Sequence, residues 1–225
     1  MEKVYCQLFL ILFLVSSYAQ AQVVFSPTII ATWPYQEVAD ESILNELSDY
    51  NREIEITDEI RSGYVQESLA ENWKIIRGKE LDYLKKQTFF SQISYLITTN
   101  LTYKIYEYHN HPLIYPVTDK TSSDKVPLRT LAKKYGVDWV INIVKMEVKN
   151  VDGEKVAEAR IMLYNVVTDR IFLDKTYGKK PLNPGGQLEC EAGSWQCALN
   201  SIVEEAVNDL FDQFEKNRRY WSTDG

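Results

Sequence analysis

The chain has 225 residues, 32 acidic against 25 basic side chains, and a formal net charge of −7. That length allows one large domain or two small ones. An acidic chain without clustered Lys and Arg does not suit nucleic acid or an anionic lipid surface, because both are bound through concentrated positive charge.

Residues 1–21 read as a secretory signal peptide. Residues 8–15 form an apolar run too short for a bilayer, which needs about 20 apolar residues. Ala19-Gln20-Ala21 then gives a small-x-small cleavage site before Gln22. Cys6 precedes the apolar run, so it does not fit a lipoprotein cleavage site. No later segment is long and apolar enough to span a membrane, and an integral membrane protein is not expected. The expected organisation is a single α/β domain over 22–220, with an aromatic-rich insertion at 88–125 and a tail at 221–225.

Residues 23–33 are β-rich and hold the first strand, centred on 28–32 and closed by Pro34. Val38, Ile43, Leu44 and Leu47 predict a helix over 37–47. Thr57 stands as an N-cap with Asp58 and Glu59 in the first turn. It opens a helix that carries Ile60, Tyr64, Val65 and Leu69 and ends near Asn72. Residues 73–86 read as a strand leading into a short helix. The insertion holds Phe89, Phe90, Tyr95, Tyr103, Tyr106, Tyr108 and Tyr115, followed by a polar loop at 118–125. Its tyrosines either form a contact surface for a protein or glycan, or pack the insertion onto the sheet.

From residue 128 onward the periods are clearer. Pro127 suits a first helical turn, Leu128, Leu131, Ala132 and Tyr135 recur at helical spacing, and Gly136 stands at the C-cap. The strand that follows is apolar on both faces at its start (Trp139, Ile141, Ile143 against Val140, Val144). Further on it alternates, with Met146 and Val148 on one side and Lys145, Glu147 and Lys149 on the other. Asp152-Gly153 predicts a tight turn, residues 155–167 a strand, Thr168-Asp169 a second turn and residues 170–177 a third strand. Two short connections in a row imply an antiparallel meander. Leu199, Ile202, Val203, Ala206, Val207, Leu210, Phe211 and Phe214 then form the apolar stripe of a long helix lying on the sheet. Lys216, Arg218 and Arg219 meet the end of its dipole. The fold class is therefore α/β, with a mixed, largely antiparallel sheet, a C-terminal meander and flanking amphipathic helices. Cys190 and Cys197, outside the leader, suit a disulfide that ties the loop at 184–186 to the start of this helix.

The run Leu131-Ala132-Lys133-Lys134-Tyr135-Gly136-Val137-Asp138-Trp139-Val140 resembles the helix, Gly, Ala/Val-Asp-Tyr/Trp-Val entry of a superfamily of envelope domains. These include the TolB amino-terminal domain, the penicillin-binding-protein activator lipoproteins and the periplasmic part of the curli secretion channel. The run from Ala159 to Ile171 resembles their Ala-Arg-Leu-x-Asp-x-x-Thr-Gly-x-Ile hairpin, with Asp169 where Gly is usual. Trp73-Lys74-Ile75-Ile76-Arg77, with Leu81 and Leu84, is similar to their strand leading into a short helix. The resemblance implies an accessory or structural role in outer-membrane assembly, secretion or cell-wall synthesis. Its partners would be envelope proteins or a cell-wall component. The activator lipoproteins carry a lipid anchor whose cleavage motif this chain lacks.

Chemistry is sparse. The two histidines, His109 and His111, would share a face with Glu107 if residues 107–111 were a strand, and three such ligands could hold a metal. Pro112 points instead to a turn there. Histidines confined to one spot support no Ser-His-Asp triad, and no glycine-rich phosphate loop is present. Asn100-Leu101-Thr102 is a glycosylation sequon that matters only in a eukaryotic source. The expectation is a non-enzymatic periplasmic or secreted binding protein with no cofactor. Its candidate contacts are Tyr103, Tyr106 and Tyr108 together with Lys145, Glu147 and Lys149. The alternatives are a secreted metal-dependent hydrolase centred on Glu107, His109 and His111, or a binder of a small ligand or glycan in an aromatic-lined pocket.

Overall fold

The computed structural model describes residues 28–108, 113–178 and 190–217. Its strands are β1 (Thr28–Ala31), β2 (Gln36–Val38), β3 (Arg52–Glu53), β4 (Lys86–Gln87), β5 (Leu113–Pro116), β6 (Trp139–Val151), β7 (Glu154–Asn165) and β8 (Arg170–Gly178). The helices are α1 (Glu41–Leu47), α2 (Asp58–Tyr64), α3 (Glu71–Lys85), α4 (Gln92–Tyr108), α5 (Lys125–Tyr135) and α6 (Trp195–Lys216). One mixed sheet of six strands runs β5-β1-β6-β7-β8, with β2 also beside β6. Strands β3 and β4 form a separate antiparallel ribbon. The long ladders β6–β7 and β7–β8 are antiparallel, so the sheet is largely antiparallel as expected.

The meander follows from its turns. Asp152 (φ 53°) and Gly153 (φ 85°) take the two left-handed positions of a two-residue hairpin. At the β7–β8 turn Asp169 (φ 51°) takes the position where glycine is usual, and Asn165 Oδ1 accepts from the Thr168 backbone and hydroxyl, both at 2.9 Å. A bulge at Val144 interrupts the β6–β7 register between Ile143 and Lys145. Its consequence is a change of phase. Trp139, Ile141 and Ile143 face one core, and after the extra residue Met146 and Val148 face that same core. A strict two-residue period would have sent the latter pair to the opposite face.

The parallel half places the helices. From β1 the chain passes through α4 to β5 at the edge, then returns through α5 to β6 on the other side of β1. Crossovers of one hand travelling in opposite directions must cover opposite faces. Accordingly α4 packs with α1 and α6 over Ile29, Trp139, Ile141 and Leu163. Helices α3 and α5 cover Ile30, Val140, Met162 and Tyr164 on the other face. Helix α6 buries the predicted stripe, with Phe211 half-buried at its margin. Gly136 (φ 62°, ψ 43°) closes α5, and the Val137 N–H returns to the Ala132 carbonyl at 3.1 Å.

Three local expectations differ from the structure. Residues 37–47 split into β2 and α1, because Asp40 is extended and starts the helix only at Glu41. Helix α2 has the predicted Thr57 cap, whose hydroxyl accepts from the Ile60 N–H at 3.3 Å. It stops at Tyr64, where Val65 leaves helical backbone (φ −103°, ψ 76°). Residues 73–77 are helical rather than a strand, since α3 is continuous from Glu71 to Lys85. Helical spacing buries Ile76, while Ile75 stays exposed, and tertiary packing overrides the local β propensity of that run.

Candidate functional site

The stretch 88–125 supplies α4 and the edge strand β5. Ile93, Ile97, Leu101 and Ile105 recur every fourth residue on α4 and are fully buried against the sheet and α6. The Ser94 hydroxyl donates to the Thr32 carbonyl at 2.6 Å and pins the helix to the end of β1. With that face anchored, three tyrosines point outward: Tyr103 is 73% exposed, Tyr106 60% and Tyr95 41%. Tyr108 closes the helix. The other aromatics of the stretch serve packing, since Phe89 and Phe90 are buried and Phe89 meets Trp195 edge-on. Tyr95 stacks on the buried Tyr83, with 6.2 Å between centroids. The aromatic stretch thus divides into a buried group and an exposed face on one helix. Tyr95 belongs to that face and was absent from the sequence-based candidates; the four-residue spacing of the isoleucines and Leu101 was the signal that could have found it.

The second candidate surface is a charge ladder. Glu147 meets Lys145 at 2.6 Å and Lys149 at 3.6 Å, and Lys149 also meets Glu158 on β7 at 3.0 Å. The bond from Lys145 holds the Glu147 carboxyl below the usual range, and the bond to Glu158 raises the Lys149 ammonium. Strand β2 pairs with residues 145–147, so this end of β6 is not an open edge. Solvent screens exposed pairs of this kind, and they add little to stability.

Two further polar clusters are matched within the fold. At the carboxyl ends of β1 and β5, Asp119 meets Lys134 at 2.6 Å and accepts from the Tyr135 hydroxyl. Burial pushes the Asp119 carboxyl up, but the bonds from Lys134 and Tyr135 outweigh it and hold the group below its usual value. Arg77 lies between the rings of Tyr64 and Tyr115, at 4.8 and 5.1 Å, and bonds to Glu80 at 3.0 Å. Among the described residues no three His, Cys, Asp or Glu side chains are grouped to hold a metal ion. Glu107 lies in the last turn of α4, not in a strand, and His109 and His111 lie outside the described residues. Cys190 and Cys197 are disulfide-bonded, with 5.3 Å between their Cα atoms. No helix among the described residues is long and apolar enough to cross a membrane.

No family model matches the chain, and no curated protein matches it in sequence. Among solved structures, it is similar to TolB from Acinetobacter baumannii, with 9% sequence identity and a TM-score of 0.29. That alignment covers 85% of this chain and 29% of TolB, so the chain spans less than a third of that protein's length. Likeness at this level carries no argument about activity, and function rests on the surface geometry.

Proposed function

We propose that the protein is a non-enzymatic, extracytoplasmic binding protein, an accessory component of cell-envelope assembly or secretion. It docks an envelope protein or cell-wall component on the outer face of α4. The observation that carries this reading is Tyr103 and Tyr106 standing largely exposed on a helix whose opposite face is locked into the core. Tyrosine gives a large, amphipathic contact area at low entropic cost and is enriched in interface hot spots. The Cys190–Cys197 disulfide supports an oxidising compartment, as does the leader-like run at residues 1–21.

The test is recovery of a specific partner from an envelope fraction with the wild-type protein as bait. Combined Tyr103→Ser, Tyr106→Ser and Tyr108→Ser changes should lower the affinity for that partner at least about ten-fold, the scale of lost hot-spot contacts. Unchanged capture by the triple variant would remove α4 as the docking face.

A further inference from the structure

The two edges of the main sheet differ. Strand β5 has four residues and ends in Pro116, which has no N–H to offer. Strand β8 has nine residues, contains no proline, and among the described residues pairs with β7 alone. Arg170, Ile171, Asp174, Lys175 and Thr176 along it are exposed. A strand paired on one side turns alternate N–H and C=O groups outward, a template for another strand.

Proteins commonly guard such an edge with charges or bulges. The bulge of β8 is at Phe172, near its start, and residues 173–178 keep regular register with 158–163 of β7. The two central charges are drawn onto the fold itself. Asp174 accepts two bonds from Arg160 of β7, at 2.8 and 2.7 Å, and Lys175 reaches Asp209 of α6 at 2.6 Å.

Charge decides what fits beside it. Helix α6 borders this edge through Asp209 and turns Glu205 and Asp212 to solvent. Burial first, and then the charges of Asp209 and Glu205, raise the Tyr177 hydroxyl far above its usual value, so both acids act on the strand. A second copy pairing antiparallel about a two-fold axis keeps the sheet faces aligned. It would bring two such acidic rows onto one face, and like charges there oppose association.

We propose that β8 accepts an extended Lys- or Arg-bearing segment of a partner protein as an added strand, with its basic side chains on the α6 side. Main-chain bonds would supply affinity and alternate side chains the register. This extends the reading as a binding protein, but it uses the opposite end of the sheet from α4 and does not depend on the tyrosines.

The probe is a labelled synthetic peptide of about ten residues, a usual strand length, alternating Lys and Val, with a Glu/Val peptide as control. The Lys/Val peptide should bind and the control should not. Hydrogen exchange should show outward amides of residues 173–178 exchanging fast in the free protein and several-fold slower in the complex. Glu205→Gln with Asp212→Asn should weaken binding about five-fold, the scale of two exposed charge contacts. Thr176→Lys, which adds a guard charge, should weaken it similarly, whereas Tyr103→Ser with Tyr106→Ser should leave it unchanged. The proposal is overturned by no binding, by equal binding of both peptides, or by protection arising elsewhere. Outward amides already protected in the free protein, dimerisation through the edge, or dependence on the tyrosines would overturn it as well.

Discussion

The indole N–H of Trp195 donates to the carboxylate of Glu46 at 3.0 Å, across 149 positions of sequence. Lys155 at the start of β7 meets the same carboxylate at 3.1 Å and stands 5.3 Å from the Trp195 ring centroid. One acid therefore joins α1, β7 and the start of α6. Trp195 is fully buried, and without this acceptor its N–H would be stranded away from water.

That arrangement gives the pH dependence a direction. The bond from Trp195, and next the bond from Lys155, hold the Glu46 carboxyl below its usual value. A carboxyl lowered in the folded state stabilises the fold above its unfolded value, and that contribution is lost as pH falls through the folded one. Urea midpoints followed by tryptophan fluorescence should drop on acidification below the usual carboxylate range. Other lowered carboxyls, Glu147, Asp119, Asp169 and Asp174, share this acid limb. Glu46→Gln should flatten it only in part, and an unchanged slope would show that Glu46 does not contribute.

The disulfide lies beside the same junction. It closes a loop of sequence separation seven immediately ahead of and into α6, where Ser194 caps the helix by accepting from the Cys197 N–H at 3.2 Å. Cys190→Ser with Cys197→Ser should cost about 2–3 kcal/mol, the chain-entropy scale for a short loop. Reductant should lower the wild type to the level of the double variant and leave the variant unmoved. A wild type indifferent to reductant would remove the staple's role.

Two glycines with positive φ separate strain from collision. Gly153 (φ +85°) has open space where a Cβ would stand, so Gly153→Ala meets only backbone strain, about 1–2 kcal/mol. Gly178 (φ +91°) ends β8 against β7, and a Cβ there would fall 2.0 Å from the Ala157 carbonyl oxygen. Gly178→Ala must in addition push the two strands apart. It should therefore lower the thermal midpoint clearly more than Gly153→Ala, and equal effects would mean that the strand end yields without cost.

These residues also show where the fold was legible. The meander could be read because Asp152-Gly153 carries its own turn chemistry. Asp169 departs from the glycine usual at its position, and what surrounds it there is tertiary. Arg129 meets its carboxylate at 2.6 Å and the Tyr164 hydroxyl donates to it at 2.8 Å. Helix α3 was misread because Trp73-Lys74-Ile75-Ile76-Arg77 has the composition of a strand. What accompanies its helical form is the seat of Arg77 between Tyr64 and Tyr115, which no local pattern reveals. The candidate surface was half legible. Tyr103 and Tyr106 could be named, but their exposure depends on the phase that Ser94 and the buried stripe impose on α4.

The sharpest test of how the sheet divides its faces is removal of one residue. Val144 is the extra residue that lets Met146 and Val148 join Trp139, Ile141 and Ile143 in one core while Lys145, Glu147 and Lys149 form the ladder with Glu158. Ile143 already pairs with Ile161 and Lys145 with Arg160, consecutive residues of β7. Deleting Val144 therefore closes the bulge without moving a cross-strand pair, and strict alternation then keeps Trp139, Ile141, Ile143, Met146 and Val148 on one face. What is lost is the Val144 side chain, buried in the other core, and the local bend of the strand. The deletion should therefore still unfold cooperatively, with a loss of about 1–3 kcal/mol, similar to that of Val144→Ala. A deletion variant that loses cooperative unfolding while Val144→Ala keeps it would show that the bulge does more than set the phase of β6.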